Sequence, residues 1–99
     1  RVHVDQGLCV IGAIKLFDDY AEIKRMFVSP QYRGRGVAQL ILDELIKWAR
    51  QNNIKKVCLE TGDKFEAAIH FYKKNGFQVC EPFGQYKYEK HCTCMARPV

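Results

Sequence analysis

The chain has 99 residues and a formal net charge of +5, with 47% hydrophobic and 27% charged residues. This length and composition exclude a disordered or fibrous chain and predict a single domain over residues 1–99 with a hydrophobic core. No apolar run approaches the roughly 20 residues of a membrane span, and no secretory signal opens the sequence, so we expect a cytoplasmic protein. The positive charge favours an anionic partner: nucleic acid, a membrane surface or a phosphate-rich cofactor.

Two strand-like apolar runs, 8–17 and 21–28, are separated by a pair of turn-forming aspartates, which predicts an antiparallel hairpin. From residue 37 to about residue 52, apolar residues recur at three- and four-residue spacing. This spacing predicts an amphipathic helix whose wide apolar face packs on a sheet.

The second half of the chain predicts a strand over 55–61, a helix over 64–75 closed by Gly76, and strands over 77–80 and 86–95. The order β-β-α-β-α-β-β indicates an α/β or α+β domain with a mixed sheet. Its parallel part forms around the first helix through a β-α-β crossover.

Five cysteines lie mostly within apolar runs and lack the paired spacing of a zinc site. We therefore expect reduced, buried thiols and no metal centre. Cys92 and Cys94 would point to one face of a strand, which suits core packing.

The sharpest local feature is a glycine-containing loop that joins the second strand to the first helix and reads Gln31-Tyr32-Arg33-Gly34-Arg35-Gly36-Val37-Ala38. Glycines let the backbone approach a phosphate, and the first-turn amides and the dipole of a helix favour an anion. A plain turn with solvated arginines is the alternative. Gln39 stands where a dinucleotide-binding fingerprint needs glycine, and no Gly-Lys-Ser/Thr follows as in a P-loop.

The segment 31–36 matches the pattern Q/R-x-x-G-x-G/A and resembles the signature of the GNAT family of N-acetyltransferases. A second element follows in the family's order, with Leu-Glu-Thr-Gly at 59–62 and Ala-Ile-His-Phe-Tyr-Lys-Lys-Asn-Gly-Phe at 68–77. The resemblance covers roughly residues 8–95. It implies a GNAT-like mixed central sheet with two main helices, from which the family's N-terminal strand and helices are largely missing.

The resemblance further implies that acetyl-coenzyme A lies in a V-shaped splay between the strand ending at Val28 and the strand ending near Thr61. Strand backbone would pair with the pantetheine arm, and loop amides would bind the pyrophosphate. The cofactor-binding residues implied in this way are Met26, Phe27, Val28, Gln31, Arg33, Gly34, Arg35, Gly36, Val37 and Ala38. Phe65 stands where many members carry a polar cofactor contact.

The implied reaction moves an acetyl group from acetyl-coenzyme A to a primary amine of a small molecule, peptide or protein. It needs a base for the amine and an acid for the departing thiolate. Glu22 and Glu60 lie at positions where family members carry a base, and Tyr72 matches the tyrosine that protonates the thiolate. Each glutamate can equally be a strand-end charge, and Tyr72 can be a packing aromatic.

Two other functions stay open at this stage. The chain could be a coenzyme A-binding module of this fold without catalysis, or a basic nucleic-acid-binding domain, although it lacks a recognition motif for the latter. The acceptor side is either open or completed by a second subunit. We expect a homodimer that pairs through the C-terminal strand 86–95, placed at the end of the sheet order.

Overall fold

The computed structural model describes residues 3–4, 10–28, 34 and 36–99, and the structural statements below concern this part of the chain. Within it, strands and helices follow the order β1 (His3–Val4), β2 (Val10–Leu16), β3 (Ala21–Val28), α1 (Val37–Gln51), β4 (Lys56–Gly62), α2 (Glu66–Lys74), β5 (Gln78–Val79) and β6 (Cys92–Pro98). A short 3₁₀ helix, Gly84–Tyr88, precedes β6.

The strands form one mixed sheet in the order β1-β2-β3-β4-β6-β5. Strands β2 and β3 make the predicted antiparallel hairpin. Strand β3 pairs in parallel with β4, and α1 is the crossover that connects them. The predicted α/β class, the mixed sheet and its two main helices are therefore confirmed.

Both helices pack on the same face of this sheet, where α1 buries the stripe that its periodicity predicted: Ile41, Leu42, Leu45, Ile46 and Ala49. These side chains share one core with Tyr72 of α2, with Phe77 and with Met95 of β6. Helix α2 ends just before Gly76, whose φ of 88° is the left-handed conformation predicted for the helix cap. Neither helix is long and apolar enough to cross a membrane.

Strands β3 and β4 separate after a short stretch of pairing. Their register runs from Ala21 opposite Val57 to Ile23 opposite Leu59, and it ends there. Strand β3 nevertheless continues to Val28, and β4 stays paired with β6 as far as Gly62. A wedge therefore opens between the two parallel strands at the carboxyl ends of both, as the family resemblance implied.

The prediction of a strand over 86–95 is wrong for residues 86–91 and confirmed for residues 92–95. Residues 84–88 form the 3₁₀ helix, and β6 begins only at Cys92, after His91 adopts a φ of 63°. The alternation of polar and aromatic residues over 86–89 imitates a strand, but the Tyr86 ring turns inward to pack edge-to-face on Phe83.

The predicted place of the C-terminal strand is also wrong, because β6 lies between β4 and β5 and is paired on both sides. The edges of the described sheet are β1, which the sequence did not predict, and the two-residue β5. Edge pairing through the last strand therefore does not support a homodimer, which stays a prediction.

Candidate active site

Two neighbouring cavities lie at the strand separation. The first, called here the splay cavity, has a volume of about 350 Å³ and is lined by Ile23, Lys24, Met26, Leu59, Glu60, Thr61, Gly62, Phe65, Ala68 and Tyr72. The second, called here the helix groove, has a volume of about 780 Å³ and is lined by Met26, Ala38, Lys64, Phe65, Glu66, Ala67, Ala68, Phe71 and Tyr72. They share Met26, Phe65, Ala68 and Tyr72, so a long ligand can occupy both.

The helix groove leads from the strand separation towards the first turn of α1, from which Ala38 joins its wall. Its lining is mostly apolar, with the charged Lys64 and Glu66 among it. Phe65, which the sequence placed at a family position for a polar contact, is 65% exposed and lines both cavities. An apolar side chain therefore stands at this position in the wall of both cavities.

The first turn of α1 has the features of an anion site. Gly36 precedes the helix with a φ of 77°, no side chain caps the helix, and no acidic residue lies in its first turn. Gly34 has a φ of 79°, and a Cβ built on either glycine would meet no atom of the described residues within 4 Å. As far as these residues show, the space beside both glycines is open, and the amides of the first helical turn have no intrahelical acceptor. The predicted contacts Gln31, Arg33 and Arg35 lie outside the described residues.

Tyr72 lies where the two cavities meet. It is 9% exposed and packs edge-to-face on Phe71 and Phe77, with ring centroids 5.3 Å and 5.5 Å away. Burial raises the pKa of its hydroxyl, so the phenol is protonated at neutral pH. Tyr72 is thus a core residue that also lines both cavities and carries a group able to donate a proton.

Glu22 lies on β3 opposite Cys58 of β4, and Glu60 is two residues further along β4. Because strand side chains alternate, both glutamates lie on the sheet face away from the helices. Glu22 is only 3% exposed, and its Oε2 accepts a 2.7 Å hydrogen bond from the Tyr86 hydroxyl and a 3.3 Å bond from Lys24 Nζ. The structure therefore brings the two predicted carboxylates to one place but buries only one of them.

Glu60 is half-buried and lines the splay cavity. Burial raises the pKa of its carboxyl, the negative charges of Glu22 and Glu89 raise it further, and Lys24 partly opposes them. A carboxylate with a raised pKa holds a proton more strongly, which makes Glu60 a better base than an exposed glutamate.

Sequence reasoning missed Lys24 and Tyr86. Lys24 follows Glu22 by two residues on a predicted strand, so the period of two could have placed both on one face. No local signal could have found Tyr86, which is 64 residues from Glu22.

The cysteines form no disulfide among the described residues, where Cys58 and Cys94 are buried and Cys80 and Cys92 are half-buried thiols. Burial raises the pKa of the Cys58 thiol to about 11, so this thiol is unreactive at neutral pH. Within the described ranges, no group of three or more His, Cys, Asp and Glu side chains is arranged to hold a metal ion.

The chain is similar to proteins of an acetyltransferase family. A family model described as the acetyltransferase (GNAT) family matches residues 4–77. A protein of Escherichia coli (strain K12) that carries the name uncharacterized N-acetyltransferase YedL is 42% identical over 89 residues, which cover 87% of this chain and 56% of that protein.

Solved structures show the same similarity. A candidate acyl-CoA N-acyltransferase from Klebsiella pneumoniae superposes with a TM-score of 0.86 and 34% identity, over 91% of this chain and 63% of that one. The PaiA N-acetyltransferase from Thermoplasma acidophilum, solved with coenzyme A, has the same fold with a TM-score of 0.80 and 22% identity, over 92% of this chain and 54% of that one. This chain thus spans less than two thirds of each of these proteins.

Proposed function

Because this chain belongs to the GNAT family of acetyltransferases, whose model matches residues 4–77, we propose that it transfers an acetyl group from acetyl-coenzyme A to a primary amine. The observation that carries the proposal is the separation of β3 from β4 after Ile23 and Leu59, which opens a cavity lined by Glu60 and Tyr72. The coenzyme A bound to the Thermoplasma acidophilum neighbour supports the choice of cofactor. A cytoplasmic location and a single domain over 1–99 stay predictions.

The cofactor would lie along the helix groove with its thioester in the splay cavity. Pairing of β3 with β4 ends at Ile23, so the backbone of Met26, Phe27 and Val28 has no β4 partner in the described part and is available to the pantetheine amides. Amides of Val37 and Ala38 would bind the pyrophosphate at the start of α1, with Gly34 and Gly36 leaving room. Gln31, Arg33 and Arg35 would add polar and charged contacts.

In the proposed reaction, Glu60 takes a proton from the ammonium form of the acceptor, directly or through one water molecule. The neutral amine then attacks the thioester carbon, and a backbone N–H near Phe27 or Val28 stabilises the oxyanion. When the carbon–sulfur bond breaks, the thiolate takes a proton from Tyr72, and the proton that the new amide nitrogen loses restores the Tyr72 hydroxyl through solvent. We choose Glu60 over Glu22 as the base because the two differ in exposure. Glu60 lines the splay cavity, whereas Glu22 is buried and bonded to Tyr86 and Lys24.

The test of this function is the release of coenzyme A thiol from acetyl-coenzyme A in the presence of a broad panel of amines, together with calorimetric titration of coenzyme A. The proposal expects binding, and thiol release that depends on at least one amine. Binding without amine-dependent release would identify a cofactor-binding module instead. Salt-dependent binding to generic DNA without cofactor binding would identify a nucleic-acid-binding domain.

A further inference from the structure

The segment before β6 folds back over the sheet face that carries the two glutamates. Its rings continue a row of aromatic contacts: Tyr86 lies 5.4 Å from Phe83, Phe83 lies 5.6 Å from Tyr20, and Tyr20 stacks on Phe17 at 4.9 Å. This packing fixes the Tyr86 ring above β3, where its hydroxyl meets Glu22.

Tyr86, Lys24 and Glu22 form a closed network. The Tyr86 hydroxyl donates to Glu22 at 2.7 Å, and Lys24 Nζ donates to Glu22 at 3.3 Å and to the Tyr86 oxygen at 3.4 Å. A carboxylate that is 3% exposed has lost nearly all of its water, so these donors take the place of its hydrogen bonds to solvent. The shortest of these bonds comes from Tyr86.

We propose that Tyr86 is a positioning residue for the acceptor side of the site: its hydroxyl holds the Glu22 carboxylate beside Lys24, so that Glu60 faces a fixed negative charge where the strands separate. The inference rests on the proposed function, in which Glu60 is the base. Tyr86 itself contacts neither the splay cavity nor the helix groove, so it acts through Glu22.

The charge around Glu60 comes from three elements, and its ionisable neighbours are Glu22 and Lys24 of β3, Glu89 beyond the 3₁₀ helix, and Cys92 and Cys94 of β6. Without the Tyr86 hydroxyl, the Glu22 carboxylate keeps only its hydrogen bond to Lys24 and is free to rotate towards water. This rotation moves negative charge away from Glu60, so the pKa of Glu60 falls. The acid limb of the rate profile, which reports the ionisation of the base, then moves to lower pH.

The first test compares the pH dependence of kcat/KM for the unmodified chain, Tyr86→Phe, Glu22→Gln and the double variant. We expect the acid limb to move to lower pH in both single variants. The double variant should move it no further than Glu22→Gln alone, because the hydroxyl acts only through the carboxylate. The control is Tyr20→Phe, which removes a hydroxyl from the same aromatic row without a bond to Glu22. An unmoved limb in Tyr86→Phe, or additive shifts in the double variant, overturns the proposal.

The second test needs no activity and therefore separates this inference from the proposed function. Burial and the hydrogen bond to Glu22 both raise the pKa of Tyr86. The chain has five tyrosines, so the ¹³Cζ resonance of Tyr86 is assigned by its loss in Tyr86→Phe. We expect this resonance to titrate above the range of an exposed tyrosine, and at lower pH in Glu22→Gln. The same titration curve with and without Glu22 would overturn the network, whatever the enzyme assay shows.

Discussion

Gln39 on the first turn of α1 and Asn75 at the end of α2 are joined by a hydrogen bond of 2.6 Å between Gln39 Nε2 and Asn75 Oδ1. Asn75 in turn donates to the Phe71 carbonyl, and Gln39 also donates to Asp43. This bridge ties the start of α1, the proposed pyrophosphate site, to the helix that carries Tyr72. It therefore fixes the distance between the two helices across the helix groove.

We expect Gln39→Ala to reduce the free energy of unfolding by about 1 kcal/mol, the usual net contribution of one partly exposed hydrogen bond. The substitution also removes the hydrogen bond that joins the two helices beside the helix groove, so coenzyme A affinity should fall as well. Chemical denaturation and calorimetric titration measure the two effects. The control is Gln51→Ala, at the far end of α1, which should leave affinity unchanged. A loss of stability without a loss of affinity in Gln39→Ala would limit the bridge to a structural role.

Gly34 gives the most direct test of the anion site. Its φ of 79° disfavours any other residue, and an added Cβ would meet no atom of the described residues within 4 Å. In Gly34→Ala we expect a stability loss of roughly 1–2 kcal/mol from backbone strain alone, together with weaker coenzyme A binding, because the methyl group enters the space for the phosphate.

The matched control is Gly76→Ala, since Gly76 has a φ of 88° but lies at the end of α2. It should cost similar stability and leave coenzyme A affinity intact, as measured by the thermal shift on adding cofactor. Equal losses of affinity in both variants would mean that strain, and not the blocked site, weakens binding.

The sequence was sufficient for those parts of the fold that local patterns determine. The stripe of α1 and the glycine cap of α2 follow from residue spacing and backbone conformation, so both were predictable. The start of the last strand was not predictable from such a pattern. Polar and aromatic residues alternate around Tyr86 as in a strand, but the Tyr86 ring packs on Phe83 and β6 begins only at Cys92. For the site, the parallel crossover predicted that Glu22 and Glu60 lie on neighbouring strands. Their different burial, and the hydrogen bond from Tyr86 to Glu22, are contained in no local pattern.

The raised pKa of Glu60 leads us to expect that this residue lowers the stability of the fold at the pH where it would act as a base. Burial and the charge of Glu22 raise its pKa in the folded protein, so the folded state binds this proton more tightly than the unfolded chain does. Stability contributed by Glu60 is therefore complete below its unfolded pKa and is lost as the pH rises through the higher folded pKa. At neutral pH the ionised carboxylate destabilises the fold.

We accordingly expect Glu60→Gln to raise the melting temperature at pH 7 and to have little effect at about pH 4, near the reference pKa of glutamate. The same variant should lose the acid limb of the rate profile together with most of the activity. Calorimetric melting at the two pH values gives the answer. A lower melting temperature at pH 7 would show that Glu60 makes favourable contacts in its ionised form and would argue against it as the base.

Tyr72 combines two roles that a single substitution can separate. Its ring belongs to the core and packs on Phe71 and Phe77, and the residue also lines both cavities. Tyr72→Phe keeps the ring contacts and removes only the hydroxyl group, so stability and coenzyme A affinity should stay within about 1 kcal/mol of the unmodified chain. Turnover should fall by roughly 10²-fold, the lower range for loss of a general acid.

The acyl donor can isolate the proton transfer itself. A thioester whose thiol has a lower pKa leaves without needing a proton, so an activated aryl thioester should restore much of the lost rate to Tyr72→Phe and little to Glu60→Gln. The control is Tyr72→Leu, which also removes the ring and should lose stability as well as rate. If Tyr72→Phe loses the same rate with acetyl-coenzyme A and with the aryl thioester, the Tyr72 hydroxyl is not the acid. The thiolate would then take its proton from water.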